Sequence, residues 1–358
     1  MNNSLQNIFG TRLQLARKMA GYSLQDLSDA LDNEVTKQSL SKYEMGLMNP
    51  SSEVLLSISK ALNIRPDYFL KKNAVELGEI LFRKKSTLSK KIEDSIVEKV
   101  RDYVERYLEI EFIVGIDTEF RNPIEDLIIR TKEDVEFSAN KLRLDWELGV
   151  NSISNIIEML ELKGIKVFIV DDVEDIDGLA VLTSKGIPVI VVNKKNKSLE
   201  RIRFTIIHEL AHLLLNIDSE IVKNSKETEL LCHYFASCFL LPKNMLLKLI
   251  GSAKREYIKL NELVSIKEYF GISIRALLHR LKELEIITDI YYRRWSIYLN
   301  KKYGSQNEPG KYIGEEKAKN FNLLVNRALA EELISLSKAS TLWNIDIDEL
   351  RKGFNGVN

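Results

Sequence analysis

Apolar positions recur at helical spacing along most of this chain, and give way to a β-branched run only in one central stretch. From Phe9 to Leu70 the pattern predicts five short helices. The first runs from Phe9 to Ala20 and is closed by Gly21, and the second begins at Ser23, whose hydroxyl suits an N-cap. The third runs from Thr36 through Tyr43 to Gly46, the fourth from Ser51 to Leu62 after Asn49-Pro50, and a short fifth follows Pro66. Leu13, Ala16, Leu27, Leu31, Leu40, Tyr43, Leu55, Ile58, Leu62 and Phe69 supply a small core. Next, Phe82 to Lys91 is strongly basic and reads as a solvated linker. Ile96, Val100, Val104, Tyr107 and Leu108 then line one side of a long amphipathic helix over 92–110, suited either to packing on the next domain or to dimerisation.

Helices over 135–144 and 153–162 lead to a strand at Lys166–Val170. Asp177-Gly178 and Lys185-Gly186 bracket a hairpin whose strand runs from Ile187 to Asn193. After a polar connection, Phe204, Ile207, Leu210, Ala211 and Leu214 mark an amphipathic helix, and Lys226 to Pro242 is a second helix that stops at its proline. Further on, helices are expected over 263–269, 273–284, 321–337 and 345–354, with an exposed loop at 303–310.

The first of these two central helices carries Arg203-Phe-Thr-Ile-Ile-His-Glu-Leu-Ala-His212. His208 and His212 stand four residues apart, one helical turn, and so share a face on which two imidazoles can hold one Zn²⁺ ion. Glu209, between them, is placed to take a proton from a water at the metal's open position. The plainer reading is a helix with two surface histidines, but the chain has only 4 histidines in all, which makes that spacing hard to reach by chance. The second helix can supply a third ligand. Its Glu227 and Glu229 lie about 200° apart around the axis, so only one can face the metal. Glu229 shares a face with Leu230, His233, Ala236 and Leu240 and is chosen as ligand, with Glu227 a solvated first-turn residue. His233, one turn on, is read as a group that orients a metal-bound imidazole or as an ordinary core-edge histidine, with a direct-ligand role as the third option. The residue that would stabilise an oxyanion is not identified. His279 is a candidate by elimination, and its setting favours a helix surface.

RFTIIHELAHLLL followed by ETELLCHYFASCFLLP resembles the ImmA/IrrE family of zinc metallopeptidases. The resemblance implies a gluzincin-like site with His208, His212 and Glu229 as ligands and Glu209 as general base. It also implies regulated cleavage of a partner protein, typically a helix-turn-helix repressor, with the strand Ile187 to Asn193 expected at the edge of the cleft, where it can pair with an extended peptide. Ala211 stands where glycine is commoner in that family, and His233 where asparagine is commoner. The family often carries a second helix-turn-helix-like subdomain, here about residues 255–290.

GYSLQDLSDAL and VTKQSLSKYEMGLMNPS resemble the XRE/Cro-type helix-turn-helix domain across residues 8–70. That resemblance implies a third helix that enters the major groove, with Thr36, Lys37, Gln38, Ser41 and Lys42 toward DNA, and Asn49 and Ser51 at the backbone. Lys37 and Gln38 are the expected base readers. Leu24 occupies a position where glutamine is common, with Gln25 one residue later, which displaces or removes a phosphate contact. A small helical module that binds protein is the alternative. XRE-type domains read two half-sites as dimers, so a homodimer is expected.

Composition narrows these readings without replacing them. Lys plus Arg and Asp plus Glu are 52 each, so attraction to DNA has to come from a local patch. No apolar run approaches the roughly 20 residues that span a bilayer, and the polar start MNNSLQN is no signal peptide, so no membrane partner and a cytoplasmic location are expected. Cys232 and Cys238 have neither metal-type nor disulfide-type spacing and read as small reduced packing residues.

The 358 residues thus divide into an expected five-helix DNA-binding domain (1–72), a charged linker with a long helix (73–115), a zincin-like metallopeptidase domain of α+β type (116–300) and a helical C-terminal region (301–358). The fold class is multidomain and mostly α. The function expected is a DNA-associated regulatory zinc endopeptidase that acts on a repressor or antitoxin-like partner. The alternatives are a DNA-binding regulator that uses the zinc domain as a sensor or scaffold, and a plain interaction module.

Overall fold

The computed structural model describes residues 2–71, 89–116, 119–171, 176–251 and 253–354. Most of the basic stretch expected as a linker therefore lies outside the described residues. The amino-terminal unit consists of α1 (Asn2–Met19), α2 (Leu24–Ala30), α3 (Lys37–Glu44) and α4 (Ser52–Leu62), followed by a 3-10 turn at Pro66–Leu70 where a fifth helix was expected. Ser23, Thr36 and Ser51 cap α2, α3 and α4, each accepting a backbone N–H three residues on. Gly10 lets α1 cross α3 closely, because a Cβ there would stand 2.5 Å from the Tyr43 and Glu44 carbonyl oxygens.

The long helix α5 (Lys90–Val114) is a keel that several parts of the protein share. Ile96, Val100 and Val104 pack on one face of a sheet, while Tyr107 and Ile110 pack on the carboxy-terminal helices. On the amino-terminal unit, Arg12 Nη1 donates to Glu105 Oε2 at 2.7 Å and Ser95 Oγ to the Met19 carbonyl at 2.7 Å. Of the two roles the sequence allowed for this helix, internal packing is the one observed.

Beyond it come β1 (Ile128–Ile129), α6 (Lys132–Asp145), α7 (Ile156–Leu162), β2 (Lys166–Val170), β3 (Gly178–Leu182), β4 (Pro188–Asn193), α8 (Leu199–Leu214), β5 (Asn216–Ile217), α9 (Ser219–Val222), α10 (Ser225–Leu240) and α11 (Lys243–Ile250). The sheet has the order β2-β4-β3, with β4 parallel to β2 and antiparallel to β3. All six residues of β4 are buried, as a strand covered on both faces requires. β4 is therefore the central strand, and the expectation that it forms an edge is corrected: its two ladders occupy both of its sides, and β3 is the edge strand beside α8.

The chain continues with α12 (Leu260–Phe270), α13 (Ile274–Glu283), α14 (Asp289–Tyr303), α15 (Asn320–Ala330), α16 (Leu336–Trp343) and α17 (Ile347–Phe354). The single helix expected over 321–337 is two, broken where Glu332 takes a left-handed conformation (φ 57°) and restarted by the Ser335 cap. The largest core gathers α6, α7, α8, α10, α12 and α13 against the second face of the sheet. Between α14 and α15 an extended strap ties the carboxy-terminal region down. Glu316 pairs with the buried Arg203 of α8, and its Oε2 accepts the Ile156 N–H at 2.8 Å and the Ile157 N–H at 3.1 Å at the start of α7. The Arg203 guanidinium also lies 4.4 Å from the centre of the Tyr312 ring. No single helix among the described residues is long and apolar enough to cross a membrane.

Candidate functional site

Three donor atoms from two helices converge on one point. α8 starts at the Ser198 cap and runs for 16 residues with its apolar stripe in the main core, which fixes its rotation and turns His208 and His212 to the same side. α10 starts at the Asn224 cap, ends at Leu240 ahead of Pro242, and lies against α8. Its Glu229 reaches across, with Oε2 3.1 Å from His208 Nε2 and Oε1 3.5 Å from His212 Nε2. The two Nε2 atoms are themselves 3.1 Å apart.

These separations suit a shared ion. Three ligands about 2.05 Å from zinc at tetrahedral angles stand about 3.3 Å from one another. Two imidazoles and a carboxylate also match the donor preference of zinc. The histidine side chains are 11% and 4% exposed and that of Glu229 is 38% exposed, so the cluster opens to solvent on the α10 side.

Glu227 takes no part. It is exposed in the first turn of α10, where Asn224 Nδ2 donates to it at 3.4 Å. Leu230, assigned from sequence to the packed face with Glu229, is 61% exposed instead. A ring nitrogen of His233 lies within 4.8 Å of the donor atoms of His208 and Glu229, a looser grouping than the tight triangle that includes His212. His233 instead meets His208 by its ring face. Their centroids are 4.2 Å apart at 31°, with Phe204 stacked 5.8 Å from His233. His208 Nδ1 is buried and has no hydrogen-bond partner among the described residues, so His233 bears on His208 by stacking and not through that nitrogen.

Two residues near the cluster escaped the sequence reading. Gly178 opens β3 in extended backbone against α8, where a Cβ would lie 2.7 Å from Thr205 Cγ2, 3.0 Å from Glu209 Cγ and 3.0 Å from the Val191 carbonyl oxygen. The absent side chain leaves Glu209 its place. Gly178 was legible only as a turn residue, because nothing local says which helix the strand will face. Cys232, expected to be plain packing, has its Sγ 2.9 Å from His212 Nδ1. Cys238 is also more than filler: Arg280 Nη1 donates to it at 2.9 Å and it donates to Glu136 Oε2 at 3.2 Å, while burial pushes its thiol well above the usual range. Both cysteines are buried. His279 sits on α13 with its Nε2 3.8 Å from Glu283 Oε1, half-exposed, and burial holds its imidazole below the ordinary value.

In the amino-terminal unit Lys37, Gln38 and Lys42 are exposed on α3, Ser41 is half-buried, and Leu40 and Tyr43 face the core. Thr36 is exposed but its Oγ1 accepts the Ser39 N–H at 3.2 Å, and the Ser51 Oγ accepts the Val54 N–H at 3.3 Å, so both hydroxyls already serve as caps. Asn49 is exposed in the loop between α3 and α4. Gln25 is exposed on α2, its amide donating to Asp29 Oδ1 at 2.8 Å. The orientation of α3 is set by Arg17, which donates to both Glu44 carboxylate oxygens at 2.5 and 2.8 Å.

Residues 13–69 match the family described as helix-turn-helix, and residues 160–282 match the family described as IrrE N-terminal-like domain, a peptidase family. The chain is 37% identical over 76 residues to the SPbeta prophage-derived uncharacterized HTH-type transcriptional regulator YonR of Bacillus subtilis, a stretch that covers 21% of this chain and 68% of that protein. It is 35% identical over 66 residues to the HTH-type transcriptional regulator ImmR of the same organism, covering 18% of this chain and 50% of that protein.

Proposed function

We propose that this chain, which belongs to the helix-turn-helix regulator family and carries an IrrE-type, metallopeptidase-like domain, is a DNA-associated zinc endopeptidase that cuts a regulatory partner protein. The observation that carries the reading is the triangle of His208 Nε2, His212 Nε2 and a Glu229 carboxylate, with edges of 3.1 to 3.5 Å. Zinc held there supplies a Lewis acid that brings the deprotonation of water to about pH 7. Glu209 is the general base: it takes the proton from the attacking water and returns it to the leaving amine as the peptide bond breaks. Gly178 keeps the space in which that carboxylate moves. β3, as the edge strand beside α8, offers main-chain groups to an extended peptide, so the substrate is held by strand addition next to Glu209. The exposed Lys37, Gln38 and Lys42 face the DNA, and a homodimer presents two such helices to paired half-sites.

Metal analysis by mass spectrometry tests the centre first. About one zinc per chain, lost in Glu229→Ala and kept in Glu227→Ala, is expected. Labelling of new protein amino termini in cells that express either wild type or Glu209→Gln tests the cleavage. A cut helix-turn-helix protein seen only with wild type is expected, since loss of a general base costs about 10²- to 10⁴-fold. Zinc binding with no difference between the two cell lines would favour a regulator that uses the zinc domain as scaffold, a second reading supported by the names of both matched relatives as transcriptional regulators.

A further inference from the structure

The two imidazoles of the cluster are held in different ways. His208 has a buried Nδ1 with no hydrogen-bond partner among the described residues, and its ring packs on His233 at 4.2 Å between centroids and on His212 at 4.6 Å. His212 has its Nδ1 2.9 Å from the sulfur of Cys232, a residue of α10 one turn of helix from Glu229 and fully buried. We propose that Cys232 is a positioning residue of the metal centre, whose sulfur accepts a hydrogen bond from His212 Nδ1–H and so turns the lone pair of Nε2 toward His208 and Glu229. The inference rests on the zinc reading above and adds to it a specific support for one ligand.

The chemistry of the ring fixes the direction of this contact. An imidazole that offers the Nε2 lone pair to a metal carries its one remaining proton on Nδ1, and that proton needs an acceptor. In most zinc sites the acceptor is a carboxylate, a carbonyl or water. Here a thiol sulfur occupies the place. The in-plane directions of the two ring nitrogens diverge, so a sulfur at Nδ1 lies behind the ring and cannot also reach an ion at Nε2. Cys232 is thereby distinguished from a fourth ligand. Because Glu229 and Cys232 are on the same helix, one displacement of α10 relative to α8 would alter a ligand and the support of another together.

The test is zinc affinity by chelator competition on the full chain, for wild type, Cys232→Ser and Cys232→Ala, with thermal unfolding of each metal-free protein as the control for folding. Loss of such a partner typically weakens metal binding about 10- to 100-fold. That loss is expected for Cys232→Ala, whereas Cys232→Ser, which keeps an acceptor in nearly the same volume, is expected to stay close to wild type. Nitrogen-15 spectra of the zinc-loaded wild type should show His212 protonated at Nδ1. Equal affinity of Cys232→Ala and wild type, equal weakening in Ser and Ala, or a His212 proton on Nε2 would each overturn the role of Cys232 and leave the zinc site standing. A wild type that binds no zinc would overturn both together.

Discussion

The α8–α10 cluster and the exposed face of α3 were both singled out by short motifs, yet the chain completes only the first. At the cluster every donor is brought within 3.1 to 3.5 Å of the next by helices that share one apolar core. On α3 the backbone is held as firmly, through Arg17, Glu44 and the Thr36 cap, but Lys37, Gln38 and Lys42 extend into solvent. A metal centre is an intramolecular geometry that the fold preorganises. A DNA-reading face gains its geometry from the phosphates and base edges it meets. The same kind of sequence signal therefore leads to a defined constellation in one region and to a set of solvated side chains in the other.

Substitutions behind the cluster should separate these regions most sharply. Arg203→Met leaves Glu316 buried without its cation, in a site where burial already raises the carboxyl above its ordinary range. Removing one partner of a buried pair costs about 3–5 kcal/mol, so denaturant unfolding should show a large loss of stability. DNA binding by the folded fraction should be unchanged, and a loss there would mean that the strap also governs the amino-terminal unit. Next in size, Gly178→Ala forces a Cβ against Thr205 first and Glu209 Cγ second, so that the proposed general base has to give by a few tenths of an ångström. A misplacement of about 1 Å costs roughly 10²-fold, so cleavage should fall by less than that factor while zinc content stays at the wild-type level. Metal lost along with activity would show that β3 supports the ligands and not the base.

A smaller effect concerns pH. Burial pushes Glu161 up to about 7 from an ordinary value of 4.5, against the opposing influence of the Asn320 N–H and Lys166. Between those values the folded chain keeps a proton that the unfolded chain has released, so stability falls as pH rises from about 4.5 to 7 and is flat again above it. Glu161→Gln removes that slope, and its unfolding midpoint should overtake that of wild type by pH 8. The mildest substitutions lie on α3. Lys37→Ala and Lys42→Ala should each weaken operator binding and lower its salt slope by about 1 if the side chain meets a phosphate, with no change in zinc content. If Lys37 instead reads a base, its substitution should relax sequence preference at one position.

Local chemistry was enough to identify much of this protein. The Ser23 hydroxyl caps a helix in the structure as expected, and Thr36 and Ser51, read from sequence as helix starts whose side chains face DNA, turn out to cap as well, because a cap is decided within four residues. The one-turn spacing of His208 and His212 placed them together, because a helix imposes that periodicity wherever it sits. The choice of Glu229 over Glu227 followed from the same rotation. Features that depend on which element faces which were out of reach. β4 became central and β3 the edge because strand order is set by packing on α5 and α8, although β4's continuous apolar run already hinted at burial on both faces. Arg203 found Glu316 across more than a hundred residues, and Cys232 and Gly178 came to lie beside His212 and Glu209 only when α10 and β3 closed on α8. Helix caps and one-turn spacings are short-range properties of covalent geometry, and sequence by itself determines them. Which surfaces meet depends on the burial of apolar area summed over the whole chain, and only the tertiary structure decides it.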